Sequence, residues 1–230
     1  PPQMPRTAWL DIELSTAEVR VLGALVEKDL TTPDQYPLSL NALTSACNQK
    51  SNREPVTSMS ETDVMEALDG LVAHALAGER RQSGSRVPRY AHRLSGGVGL
   101  RFDFSREALG SLAILMLRGP QTPGEIRARC GRMCEFGSLE RVQTALDELI
   151  SAERGPYVMK LERQPGTKES RFVQLWSGEP DAAALAAAMP VSTLQAAPGG
   201  TDHETRISQL EDELQTLRAE LESLKNALGE

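Results

Sequence analysis

The chain repeats itself once, and that repeat limits its fold more than any other feature. The pattern Val64-x-x-Ala67-Leu68-Asp69-x-Leu71 returns 78 positions later as Val142-x-x-Ala145-Leu146-Asp147-x-Leu149. Downstream, Arg81-Gln82-x-Gly84 with Arg89-Tyr90 returns 82 positions later as Arg163-Gln164-x-Gly166 with Arg171-Phe172, with identical internal spacing. Two matches in the same order point to two copies of one small module rather than chance.

Both copies carry the same succession of element signals. In the first, Ser15 and Glu18 form a capping box flanked by a Leu14–Val19 staple, and Val19, Leu22, Leu25 and Val26 make a helical stripe ending near Lys28. A second helix starts at Ser39, with Leu40, Leu43 and Cys47 inward. A third starts at Ser60, with Val64, Ala67, Leu68, Leu71 and Val72 inward and His74 at its end. Leu76 to Arg81 and Arg89 to Arg93 read as strands around Ser83-Gly84-Ser85. In the second copy Ser105 caps a helix through Leu117, Gly119-Pro120 ends it, and Thr122-Pro123-Gly124-Glu125 opens the next. Ser138 starts the third helix, and Val158 to Gln164 and Arg171 to Trp176 are strands. Three helices followed by a hairpin is the winged-helix arrangement. The expected class is mainly α (α+β): tandem winged helices in residues 1–94 and 105–176, joined by 95–104.

A long run opens at Glu27-Lys28-Asp29-Leu30-Thr31-Thr32-Pro33-Asp34-Gln35-Tyr36-Pro37-Leu38 and continues through Ala46-Cys47-Asn48-Gln49-Lys50-Ser51-Asn52-Arg53-Glu54-Pro55-Val56. Together with Arg118-Gly119-Pro120-Gln121-Thr122-Pro123-Gly124-Glu125 it closely resembles the YceH-like bacterial proteins over about residues 12–176. The resemblance implies tandem winged helices and no known activity, so it supplies no catalytic residue. Read on its own, the Glu27-to-Val56 segment either braces the fold or forms a binding loop.

Net charge is −7, but it is unevenly placed. Residues 1–94 carry 10 Lys/Arg against 12 Asp/Glu, residues 95–176 carry 12 against 10, and residues 177–230 carry 3 against 10. The repeated body is close to neutral, so overall acidity does not exclude nucleic acid. The outward face of the first third helix shows Glu61, Thr62, Met65, Glu66 and Asp69, and that of the second Glu140, Arg141, Gln143, Thr144, Asp147 and Glu148. Carboxylates repel a polyanion, which argues against insertion of either helix into a groove. Cations flank those helices instead. The candidate duplex-DNA contacts are Gln49, Lys50, Asn52 and Arg53 in the turn and Arg80, Arg81, Arg86 and Arg89 on the hairpin, with Arg93 beside them. The second copy has Arg127, Arg129 and Arg132, then Lys160, Arg163, Lys168 and Arg171. The alternatives are a merely solvated hairpin or a surface that meets a protein partner.

Catalytic constellations are missing from the pattern. No phosphate-binding Gly-rich loop, nucleophile elbow or His-Glu metal motif occurs, and Gly96-Gly97-x-Gly99 reads as linker. Cys47, Cys130 and Cys134 with His74, His92 and His203 lack zinc-site spacing, so the cysteines are expected to pack and no metal or cofactor is expected. Aromatics are only 4%, too few for a single-strand stacking platform. No apolar run is long enough for a membrane span. Residues 1–7 hold no signal-like stretch, and three cysteines suit a reducing compartment, so a cytoplasmic, non-enzymatic protein is expected.

Residues 177–200 are rich in Ala, Pro and Gly and read as a tether of about 27 Å root-mean-square span. Residues 201–230 follow a heptad, with Ile207, Leu214, Leu221 and Leu228 at a and Leu210, Leu217 and Leu224 at d. Across a parallel pair, Arg206 would meet Glu211, Glu213 would meet Arg218, and Glu220 would meet Lys225, each opposite in sign. A homodimer through a parallel coil is therefore expected.

Overall fold

The serines and threonine that open five of the six α-helices do so by one mechanism, which fixes where those helices begin. In the computed structural model, which describes residues 12–80, 87–95, 102–153, 155–163 and 169–178, the first copy contains α1 (Thr16–Thr31), α2 (Leu40–Cys47) and α3 (Glu61–Ala73). Its strands are β1 (Ala77–Arg80) and β2 (Arg89–His92). The second contains α4 (Arg106–Arg118), α5 (Pro123–Cys130), α6 (Leu139–Ser151), β3 (Val158–Lys160) and β4 (Phe172–Gln174). Ser15, Ser39, Ser60, Ser105 and Thr122 each sit at an N-cap with the side-chain oxygen accepting a backbone N–H two or three places into the helix. Ser138 holds the same position without a side-chain cap bond. At the other end of α4, Gly119 takes φ of 72°, where a side chain would be strained.

The expected mainly helical α+β class holds, with small antiparallel two-stranded sheets, β1–β2 and β3–β4. Each sheet gains a one-residue third strand just before the second helix. Leu38 and Tyr90 exchange both backbone hydrogen bonds at 3.1 and 2.8 Å, and Gln121 and Phe172 do the same at 3.0 and 2.8 Å. A single bridging residue has no side-chain period, so the sequence pattern gives no sign of it. Within each copy the three helices pack on one another, with the hairpin closing one side.

The two copies share a core. Leu22, Leu25 and Val26 of α1 and Leu112, Ala113 and Ile114 of α4 belong to one hydrophobic cluster that continues into both sets of helices. The two first helices approach closely at Gly23, where an added Cβ would lie 2.9 Å from Met116 Cβ. Polar ties cross the same boundary: Arg106 Nη2 donates to the Leu30 carbonyl at 2.8 Å, and Glu54 N–H to the Leu117 carbonyl at 2.9 Å. Four of the few aromatics, Phe102, Phe104, Tyr157 and Trp176, are buried together, with ring centroids 5.2–5.8 Å apart.

Some inward assignments need correction. Val72 is 46% exposed, because at the C-terminal end of α3 the inward stripe stops at Leu71. The strands are shorter than the sequence runs suggest, and α1 continues one turn past Lys28 to Thr31. The heptad at 201–230 and nearly all of the 177–200 tether lie outside the described residues. Among the described residues no helix is long and apolar enough to cross a membrane.

Candidate functional site

The turn before α3 is held from inside by an ion pair. Arg53 has a side chain closed to solvent and donates to both Glu27 carboxylate oxygens, at 3.1 and 2.6 Å. It also donates twice to the Ala46 carbonyl at the end of α2. Asn52, left-handed at φ 56°, donates to Glu27 at 2.8 Å, and Gln49 Oε1 lies 3.4 Å from Arg53. Burial alone would raise the Glu27 carboxyl, but the Arg53 hydrogen bond and charge outweigh it and hold it below the ordinary range. Asn48 completes the brace by exchanging two 2.8 Å bonds with the Met59 backbone. Arg53 therefore leaves the set of candidate phosphate contacts, because a buried, bidentate guanidinium has no face to offer. Asn52 likewise spends its amide donor inside the protein, while Lys50 is exposed.

The hairpin arginines separate in the same way. Arg89 Nη1 donates to the Pro37 carbonyl at 2.8 Å, and its repeat equivalent Arg171 donates to Pro120 at 2.9 Å while pairing with Glu125 at 2.6 Å. One hairpin arginine thus ties down the proline before the bridging residue in each copy, which commits Nη1 of Arg89 inside the protein. Arg80 and Arg93 are exposed, as are Lys160 and Arg163 of the second hairpin. Arg81 and Arg86 lie outside the described residues. On α3, Glu61, Asp63, Glu66 and Asp69 are all exposed, matching the acidic face read from the sequence.

His92 and Asp29 have the outline of a catalytic pair but not its freedom. Nδ1 of His92 accepts the Leu94 N–H at 3.2 Å, so its Nε2 carries the proton and donates to Asp29 at 3.1 Å. Both ring nitrogens are used, which leaves no basic lone pair for substrate. The phenol oxygen of Tyr36 accepts the His92 backbone N–H at 2.6 Å, joining the Glu27-to-Val56 segment to the hairpin. That segment therefore braces the fold through Tyr36, Asn48 and Arg53. Cys47, Cys130 and Cys134 are buried and free. The Cys130 thiol is pushed up by its hydrogen bond with Cys134 and by burial. Among the described residues no group of three His, Cys, Asp or Glu side chains is placed to hold a metal.

A cleft of about 350 Å³ opens where α1 and the 49–52 turn of the first copy face α4 and α5 of the second. Four cations line it: Lys28, Arg118, Arg129 and Arg132. The lining carboxylate, Glu27, is already committed to Arg53. Arg129 donates to Gln121 Oε1 at 2.6 Å and lies 3.9 Å from Glu125. Arg118 Nε is buried with no hydrogen-bond partner. Burial lowers the Lys28 pKa, Glu27 partly restores it, and the positive charges of Arg53 and Arg132 lower it further. Sequence reading grouped Arg129 with Arg132 but missed Lys28 and Arg118, which reach the cleft only through packing of the two copies.

Two copies of a three-helix unit with an edge hairpin, carrying polar surface cations and no assembled catalytic group among the described residues, define a duplicated α+β scaffold. Residues 14–167 match the family model described as a protein of unknown function, DUF480, and the chain belongs to that family. Among its curated relatives are UPF0502 proteins. That of Vibrio parahaemolyticus is 45% identical over 94% of this chain and 96% of its own length. That of Aeromonas hydrophila is 46% identical over 96% and 99%, and that of Saccharophagus degradans 44% over 95% and 96%. The resemblance carried by the Glu27-to-Val56 run thus extends over nearly the whole chain.

Proposed function

We propose that the protein is a non-enzymatic, cytoplasmic regulator that binds duplex DNA through the hairpin edges of two winged helices, with chains paired through the 201–230 heptad. The observation that carries this reading is the placement of charge, with cations along both hairpins and carboxylates on the first copy's third helix. Arg80, Arg93, Lys160 and Arg163 are exposed along the hairpins, while the third helix presents carboxylates in the first copy. A polyanion is attracted to the first surface and repelled by the second, so the duplex meets the wing and lies along its backbone rather than admitting α3 to a groove. The order of helices, with a bridging strand before the second, supports the winged-helix reading; the step to DNA is by analogy of fold.

The test is a salt titration of duplex affinity. Affinity should fall log-linearly with salt, and Arg80→Ala with Arg93→Ala should reduce the slope by about 1–2. Truncation at Pro198 removes the heptad, so the slope should drop to roughly half as phosphate contacts of one chain are lost. An absence of duplex binding at low salt would end the DNA reading.

A second reading has its own observation. A groove of about 580 Å³ between α1 and α3 is bordered by Glu18, Asp63 and Glu66, with Met59 and Ala67 among its apolar lining. This chemistry suits a basic segment of a protein partner, and it would stand if the salt titration failed.

A further inference from the structure

We infer that the cleft between the two copies is a binding site for a small molecule carrying a phosphate or diphosphate group. The inference goes beyond the DNA reading and does not depend on it.

The first ground is a local surplus of positive charge that the protein neutralises only in part, Arg129 lying 3.9 Å from Glu125. Lys28, Arg118, Arg129 and Arg132 converge on one cleft, and its lining carboxylate, Glu27, is held in a bidentate pair with a fifth cation, Arg53. Like charges brought together at a partly desolvated site are unfavourable unless an anion joins them. Burial is the main cause of the lowered Lys28 pKa; Glu27 offsets part of it, and Arg53 and Arg132 add to it.

A second ground is an unmet donor. Arg118 Nε is out of contact with solvent and has no hydrogen-bond partner. Leaving such a donor unmade is unfavourable, and an oxygen acceptor brought against it would recover that cost. Arginine forks match tetrahedral oxyanions with several acceptor oxygens, and Gln49 and Ser51 on the facing wall supply polar groups that can orient the rest of the ligand. The volume, about 350 Å³, is at the lower end of small-ligand sites and suits a mononucleotide-sized molecule. It is built from both copies, which is why neither copy read separately discloses it.

The phosphate could also belong to DNA, and the experiment separates the two sources. Isothermal titration of the full chain with inorganic pyrophosphate is the primary measurement, repeated with inorganic phosphate and with a short duplex. Expected is saturable binding of one pyrophosphate per chain, weakened at least tenfold by Arg132→Ala and by Lys28→Met, and unchanged by Arg80→Ala with Arg93→Ala. Arg132 is exposed, so its removal leaves the fold intact, as an unchanged circular-dichroism spectrum would verify. Pyrophosphate binding without any duplex binding supports the cleft site while the DNA reading falls. No saturable heat with pyrophosphate, or equal affinity in the Arg132 and Lys28 variants, overturns it. So does a duplex affinity that collapses with Arg132→Ala while pyrophosphate shows no site of its own.

Discussion

Removing the Arg53 guanidinium would leave Glu27 charged, almost water-free and supported only by the Asn52 hydrogen bond and the Lys28 charge. Taking one partner from such a buried pair costs about 3–5 kcal/mol. In the native protein the Glu27 carboxyl is held below its ordinary range, so the pair contributes fully at neutral pH and is lost as pH falls through that lowered native value. In Arg53→Met, burial, the largest influence, is opposed only by Asn52 and Lys28 and pushes the same carboxyl upward. The native state then binds more protons than the unfolded chain, and stability rises as pH is lowered from 7 towards 5. Urea unfolding of both proteins at pH 7 and 5 checks this: the parent should not gain on acidification and the variant should, whereas parallel responses would contradict the assignment. This residue also marks a limit of sequence reading. Arg53 reads as a surface cation because its carboxylate partner lies 26 positions away, and nothing local distinguishes a guanidinium turned inward from one facing water.

Elements were more legible than single residues, because caps and apolar stripes are local signals. Ser15, Ser39, Ser60, Ser105 and Thr122 mark helix starts through bonds made within three residues. The one-residue bridges at Leu38 and Gln121 and the cleft were not legible, since both arise from chain segments meeting in space. Comparison of the two copies shows a further exchange. Ser15 N–H is capped at 2.7 Å by Glu18 of its own helix, and Glu18 lies directly against Gly70 of α3. In the second copy the Glu18 position is Ala108 and the Gly70 position is Glu148, which reaches across from α6 to accept from Ser105 N–H at 2.8 Å and its hydroxyl at 2.6 Å. Gly70→Glu alone should therefore crowd two carboxylates and cost about 1–3 kcal/mol, and Glu18→Ala alone should lose about 1 kcal/mol of capping. Combined, they rebuild the second copy's arrangement. A double-mutant cycle from urea midpoints should show recovery of at least about 1 kcal/mol relative to additivity; additive losses would refute the equivalence.

For the whole molecule, one core spanning both copies means one cooperative unit over the described body. The contact at Gly23 is its tightest test, because Met116 Cβ cannot swing aside as a flexible side-chain end would. Gly23→Val should force α1 and α4 apart, at about 1–3 kcal/mol and a fall in melting temperature of about 2–4 °C for each kcal/mol. Trp176, buried in the second copy, reports whether the damage crosses over. In a Trp9→Phe background its fluorescence transition should shift with the far-ultraviolet signal, and a Trp176 transition that stayed in place would show that the copies melt separately.

The relocated helix cap has an evolutionary consequence. Once one half takes its acid from the first helix and the other from the third, the halves are no longer spare parts for each other. Recombination that paired the first helix of one with the third helix of the other would bring either two acids to one serine or none. Each half is thereby committed to its own lineage of compensating changes, which leaves an ancestral repeat recognisable in outline while its contacts diverge.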